Sequence, residues 1–143
     1  MATNIPRQMR LFVIERAQRR CEYSQKPDDP RINFYRYEVD HIIAEKHGGN
    51  TTLGNLAYAC FQCNRRKGSD IASLDPHTGT LAHLFNPRRH QWQDHFQLLA
   101  NGTIVPLTAE GRTTVALLQL NDPLRRQLRA VLITAGTLSP GPA

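Results

Sequence analysis

A chain of 143 residues falls in the size range of one domain, and 40% apolar with 21% charged residues is the composition of a folding chain, which excludes disorder over most of its length. Eighteen Lys and Arg against twelve Asp and Glu leave a formal charge of +6, a bias toward polyanionic partners such as nucleic acid. No apolar run approaches the ~20 residues that span a bilayer, so a membrane partner is not expected. The first twenty residues scatter arginines through the apolar positions and offer no h-region, which makes the cytoplasm the expected compartment. Three cysteines, two of them a Cys60-x-x-Cys63 pair, suit a metal or core thiols better than a disulfide framework.

In chain order, Arg7 to Arg20 reads as an amphipathic helix after Pro6, with Met9, Phe12, Val13 and Ala17 near helical spacing. Pro27, Asp28, Asp29 and Pro30 mark an irregular connection, and the aromatic and β-branched run Phe34 to Ile43 reads as a strand. Gly48-Gly49-Asn50 signals a loop, Leu56 to Phe61 a second strand, and Asn64 to Ser69 the basic first turns of a helix, with Asn64 a candidate cap. Asp75 to Gly79 is a turn. Phe96 to Ala100 and Thr103 to Leu107 flank Asn101-Gly102, which predicts a hairpin with a type I′ turn. Thr108 is placed to cap a helix to about Leu120, and Asp122-Pro123 to open another through about Ile133. Val115, Leu118, Leu124, Leu128 and Leu132 are the expected inward positions of these two helices, and Trp92 and Phe96, four apart, are expected in the core.

The stretch from Glu38 to Gly68 brings a carboxylate, an imidazole and two asparagines into one strand-loop-strand-helix unit. With Asp40-His41, Asn55 and Asn64 separated by steps of fourteen and nine residues, and with Gly48-Gly49, Asn55-Leu56, Cys60-x-x-Cys63-Asn64 and Lys67-Gly68, residues 21–70 resemble the HNH endonuclease family. The resemblance implies a ββα-metal fold, so the expected class is α+β: a treble-clef-like nuclease module with an N-terminal helix and a C-terminal hairpin plus two helices. One domain over 1–143 is expected, with 71–136 an extension packed on the module. The run from Leu84 to Phe96 resembles an extension found in a subset of bacterial HNH proteins.

Phosphodiester hydrolysis needs a water stripped of its proton, and neutral imidazole is a base near pH 7. His41 is the candidate base. Negative charge gathers on the phosphorus oxygens and the departing 3′ oxygen, and a hard divalent cation held by oxygen ligands neutralises it. Asp40 and the side-chain oxygen of Asn64 are the candidate ligands for one such ion, Mg²⁺ first, with Mn²⁺ or Ni²⁺ as substitutes. Neighbours on a flat strand point to opposite faces, so Asp40 and His41 need a curved strand or the loop to share a site. The resemblance implies that the hairpin supplies this curvature, that Asn55 ties loop to strand and orients the base, and that the products carry 5′-phosphate and 3′-hydroxyl ends. Arg65, Arg66 and Lys67 are candidate contacts to flanking phosphates, and Arg88 and Arg89 lengthen that surface; in another setting such residues are a solvated face.

Many HNH proteins hold a structural zinc on two Cys-x-x-Cys knuckles. Here the first knuckle reads Cys21-Glu22-Tyr23-Ser24. Serine is a poor zinc ligand, so Cys21, Cys60 and Cys63 would need a histidine, a carboxylate or water as the fourth partner, and the competing reading is three reduced thiols in a core. The expected function is cleavage of DNA. The rivals are a catalytically silent or partner-activated nucleic-acid-binding module, an RNA nuclease, and a zinc-knuckle interaction protein. A homodimer or a larger defence or mobile-element complex is an open partner expectation.

Overall fold

Pro6 fixes the backbone at φ −57° and opens helix α1 (Arg7–Arg16), the first element of a computed structural model that describes residues 4–140. The helix ends four residues short of the predicted Arg20, because Gln18 and Arg19 both take φ of +55°, outside the helical region. Arg20 instead makes an isolated antiparallel bridge with Pro27, closing a loop around the Cys21 knuckle. The predicted strand at Phe34 to Ile43 narrows to β1 (Glu38–His41), and Phe34 is 98% exposed. β1 pairs antiparallel with the wholly buried β2 (Leu56–Ala59), Asp40 opposite Ala57 and His41 opposite Leu56. Arg16 donates to the carbonyls of Leu53 (3.0 Å) and Leu56 (2.7 Å), which ties α1 to the start of β2.

Between the strands lies a 3₁₀ turn at Glu45–His47, followed by two glycines the backbone requires. Gly48 takes φ +89°, and a Cβ on Gly49 would lie 1.7 Å from the Ile43 carbonyl oxygen. After β2 comes α2 (Phe61–Lys67), capped by the Cys60 thiol, which accepts from the Cys63 amide. Asn64 is therefore inside the helix and not its cap, and Arg65, Arg66 and Lys67 form its last turn instead of its first. A thiol earlier in the chain wins the cap because the Cys60-x-x-Cys63 turn already fixes the backbone there.

The chain forms two compact units divided between Ile71 and Ala72. The second unit opens with a hairpin not anticipated from the sequence, β3 (Ala72–Leu74) and β4 (Leu81–His83), around the predicted Asp75 to Gly79 turn. Three-residue strands with exposed Leu74 and Leu81 carry too little alternation to be read locally. Asp75 is fully buried and accepts two bonds from Arg112, at 2.9 and 2.7 Å. After the one-turn helix α3 (Trp92–His95), β5 (Phe96–Leu98) pairs with β6 (Ile104–Pro106) as expected. Of the Asn101-Gly102 pair only Gly102 has positive φ (+85°), so the turn is a longer one and not type I′. Phe96 is buried, while Trp92 is half-buried against it. Helix α4 (Ala109–Leu118) is capped by Thr108, and α5 (Pro123–Thr134) starts on the predicted proline.

The inward face of α5 departs from expectation. Leu124 is 75% exposed, and the buried stripe is Arg125, Arg129 and Leu132, at i, i+4 and i+7. Arg125 donates to the carbonyl oxygens of Leu118 and Gln119, and Arg129 to those of Gly102 and Leu120. The two guanidiniums thus satisfy carbonyls that helix and turn ends leave unpaired.

The Arg112 guanidinium holds the Asp75 carboxyl well below the usual carboxylate range. A depressed carboxyl pKa adds stability above the unfolded value of ~3.9, and that stability is lost as pH falls through the acid range. Arg112→Gln is therefore expected to lower the melting temperature at pH 7, with the gap to wild type narrowing below pH ~4. Thermal melts of both proteins across pH check this, and a gap that stays constant would refute it.

Candidate active site

β1 and the turn after it wall an open groove of about 410 Å³, lined by Val39, Asp40, His41, Ala44, Glu45, Lys46 and Gly68. Asp40 and His41 both face it despite their adjacency, since His41 is the last residue of β1 and the chain turns away after it. His41 Nε2 lies 2.9 Å from Thr51 Oγ1 and 3.6 Å from Glu45 Oε1. A carboxylate only accepts, so the nitrogen facing it is assigned the proton, and Nδ1 keeps the lone pair.

Asn55 holds the loop that carries these groups. Its Oδ1 accepts from the Ile43 amide at 2.9 Å, and its Nδ2 donates to the carbonyls of Ile43 (2.9 Å) and Asn50 (2.8 Å). One side-chain amide thus acts as a strand partner where the ladder has ended. The close approach explains Gly49, whose Cβ would also lie 2.9 Å from Asn55 Nδ2.

Lys67 is not on the surface. Its side chain is 2% exposed, and Nζ lies 3.0 Å from Asp40 Oδ2 and donates to the His41 carbonyl at 3.2 Å. The expected phosphate contact is thus replaced by an internal ion pair that joins α2 to β1. Burial raises the Asp40 carboxyl pKa above its ordinary value, and the Lys67 ammonium opposes that rise. Asn64 is half-buried one turn before Lys67 and is not among the residues lining the groove. Asp40 and Asn64 still offer hard oxygen donors suited to a Mg²⁺-like ion, and a carboxylate has two oxygens, so an ammonium on Oδ2 leaves Oδ1 for a cation. Arg65 and Arg66 are exposed on α2; in the second unit Arg89 is exposed and Arg88 half-buried.

Residues 20–70, about a third of the chain, match the family model for HNH endonuclease. This segment belongs to the HNH endonuclease family. Comparison with curated proteins and with solved structures finds no match. The HNH segment coincides with the β1–β2–α2 unit, the mixed helix and antiparallel-strand architecture expected of a ββα-metal fold. HNH proteins are generally nucleases that act on DNA and use a divalent metal. No helix among the described residues is long and apolar enough to cross a membrane.

Beside the groove residues, the HNH segment carries a second candidate metal centre. Cys21, Cys60 and Cys63 are buried, with their sulfurs all within 4.8 Å of one another. Ser24 and Cys63 amides donate to the sulfurs of Cys21 and Cys60, at 3.3 and 3.5 Å, and Ser24 Oγ lies 3.8 Å from Cys60 Sγ. Three soft donors that suit zinc are thus gathered, with the Ser24 hydroxyl beside one of them. Without a cation, burial pushes the Cys21 thiol up to about 11 and the Cys63 thiol well above its ordinary value. Ser24→Cys completes the set and is expected to retain more zinc per chain than wild type after dialysis against a mild chelator. Absence of bound zinc from both proteins would refute a metal role for the knuckle.

Sequence reasoning missed Thr51 and Glu45, and it placed Lys67 on the wrong side of α2. Glu45 is four residues after His41, a spacing that a turn brings together; Thr51 carried no local signal.

Proposed function

We propose that the HNH unit hydrolyses DNA phosphodiester bonds in the groove beside β1, with His41 as general base. The observation that carries this reading is the His41 ring held through one nitrogen by Thr51 and Glu45, in the same groove as the Asp40 carboxylate. With Nε2 engaged, Nδ1 is the nitrogen that takes a proton from water as the water attacks phosphorus. Asn55 fixes the loop and so limits the directions in which that lone pair points.

Asp40 and Asn64 would hold a divalent ion, Mg²⁺ by preference, which when bound would supply charge stabilisation at the crowded phosphate and the departing 3′ oxygen. Lys67, 3.0 Å from Asp40 Oδ2, opposes the rise that burial imposes on the Asp40 carboxyl and holds it in place, a positioning task its burial suits better than contact with substrate. Arg65 and Arg66 take flanking phosphates and make binding fall with salt. The bond that breaks is P–O3′, leaving a 5′-phosphate and a 3′-hydroxyl.

Supercoiled plasmid incubated with the full chain and Mg²⁺ or Mn²⁺ tests the reading. Conversion to nicked and linear forms, suppressed by EDTA, is the expected result. Intact plasmid, single-stranded DNA and RNA after incubation with folded, DNA-binding protein would overturn it in favour of a binding module.

A further inference from the structure

On the HNH unit, Tyr35 stacks on Phe61 with ring centroids 4.3 Å apart and planes 19° from parallel, and the Arg65 guanidinium carbon lies 5.8 Å from the Phe61 centroid. Phe34 beside them is 98% exposed and Tyr35 63% exposed. None of these rings is used by the groove chemistry. Large aromatics so open to water bury little apolar area in the fold, so packing alone gives no reason for them.

We propose that Phe34, with the Tyr35–Phe61–Arg65 stack, is a stacking platform for unpaired nucleobases, and that the substrate of the HNH groove carries single-stranded nucleotides next to the scissile phosphate. The inference rests on the nuclease reading for its second half. Three observations point to nucleic acid as the occupant. The stack sets two aromatic rings face to face with a guanidinium over one of them, groups that accept any base. Arg36, Arg65 and Arg66 are exposed around it, whereas Arg31 is engaged by Asp29 at 2.7 Å, so the available charge suits a phosphodiester backbone. Phe61 and Lys67 stand at opposite ends of α2, roughly 9 Å apart along its axis at 1.5 Å per residue. Because Lys67 touches Asp40 and His41, a strand whose bases rest on the platform has its backbone within short reach of the groove.

Unpaired bases fit better than a duplex. A free ring needs a free π-face, and in a duplex those faces are already stacked; opening a step costs a few kcal/mol.

The test is fluorescence anisotropy of labelled oligothymidylate of about 16 nucleotides, and of a blunt duplex, with the full chain in EDTA so that no cleavage occurs. Phe34→Ala, at a site exposed enough to leave folding intact, is expected to weaken single-strand binding by at least ~5-fold and duplex binding by less than ~2-fold. Equal weakening of both substrates, or no change on the single strand, overturns the platform. Parallel incubation of the single strand and a tailed duplex with Mg²⁺ separates the two readings. Cleavage by the wild type, with Phe34→Ala weakening both substrates equally or leaving single-strand binding unchanged, overturns the platform and leaves the nuclease standing. Selective loss of single-strand binding in a protein that cuts nothing supports the platform and overturns the nuclease.

Discussion

Replacing His41 by Ala is expected to lower the metal-dependent cleavage rate by about 10²- to 10⁴-fold, the range that a positioned general base contributes. Two groups hold Nε2, Thr51 Oγ1 at 2.9 Å and Glu45 Oε1 at 3.6 Å, so the ring has one nitrogen for its supports and one for water. The variant keeps the β1 backbone, its pairing with β2 and the Asn55 loop bonds, none of which uses the imidazole. Its melting temperature and DNA binding should therefore stay near wild type while plasmid nicking disappears. Nicking at the wild-type rate would remove His41 from the chemistry.

The second large effect concerns stability. Lys67→Met leaves the Asp40 carboxylate, whose side chain is 10% exposed, without its ammonium, and the loss of one partner of a buried pair costs about 3–5 kcal/mol. The His41 carbonyl loses a donor at the same time. Denaturant unfolding of the wild type, Lys67→Met and the Asp40→Asn, Lys67→Met double variant measures this. The double variant should recover much of the loss because no uncompensated charge remains. A single variant as stable as wild type would show the ion pair to be dispensable, and would return Lys67 to the set of candidate phosphate contacts.

The parts of the fold legible in the sequence were those set by neighbouring residues. Thr108 before Ala109 caps α4, and Asp122-Pro123 opens α5, because cap and first-turn preferences act over one helical turn. The β5–β6 hairpin was legible from Asn101-Gly102 between apolar runs, although its turn type was not. Asp40-His41, Asn55, Asn64 and the cysteine pair identified the HNH segment over 21–70, against 20–70 in the family match, since order and spacing survive without coordinates.

What the sequence by itself determined, then, was the α+β class, the HNH segment and the residue types its chemistry requires. Only the tertiary structure decided which charges face inward. Lys67 reads as one of three basic residues in a row, and its burial follows from α2 packing on β1, where Asp40 meets it. Arg125 and Arg129 read as the wet face of α5, yet they are buried because the Gly102 turn carbonyl, 27 residues from Arg129, and the Leu118 and Leu120 carbonyls just before the helix converge on them. Likewise Thr51 becomes a partner of His41 only once the loop closes under Asn55. Periodicity ranks side chains by their own transfer free energy, whereas a buried charge is decided by the partners that distant segments bring to it.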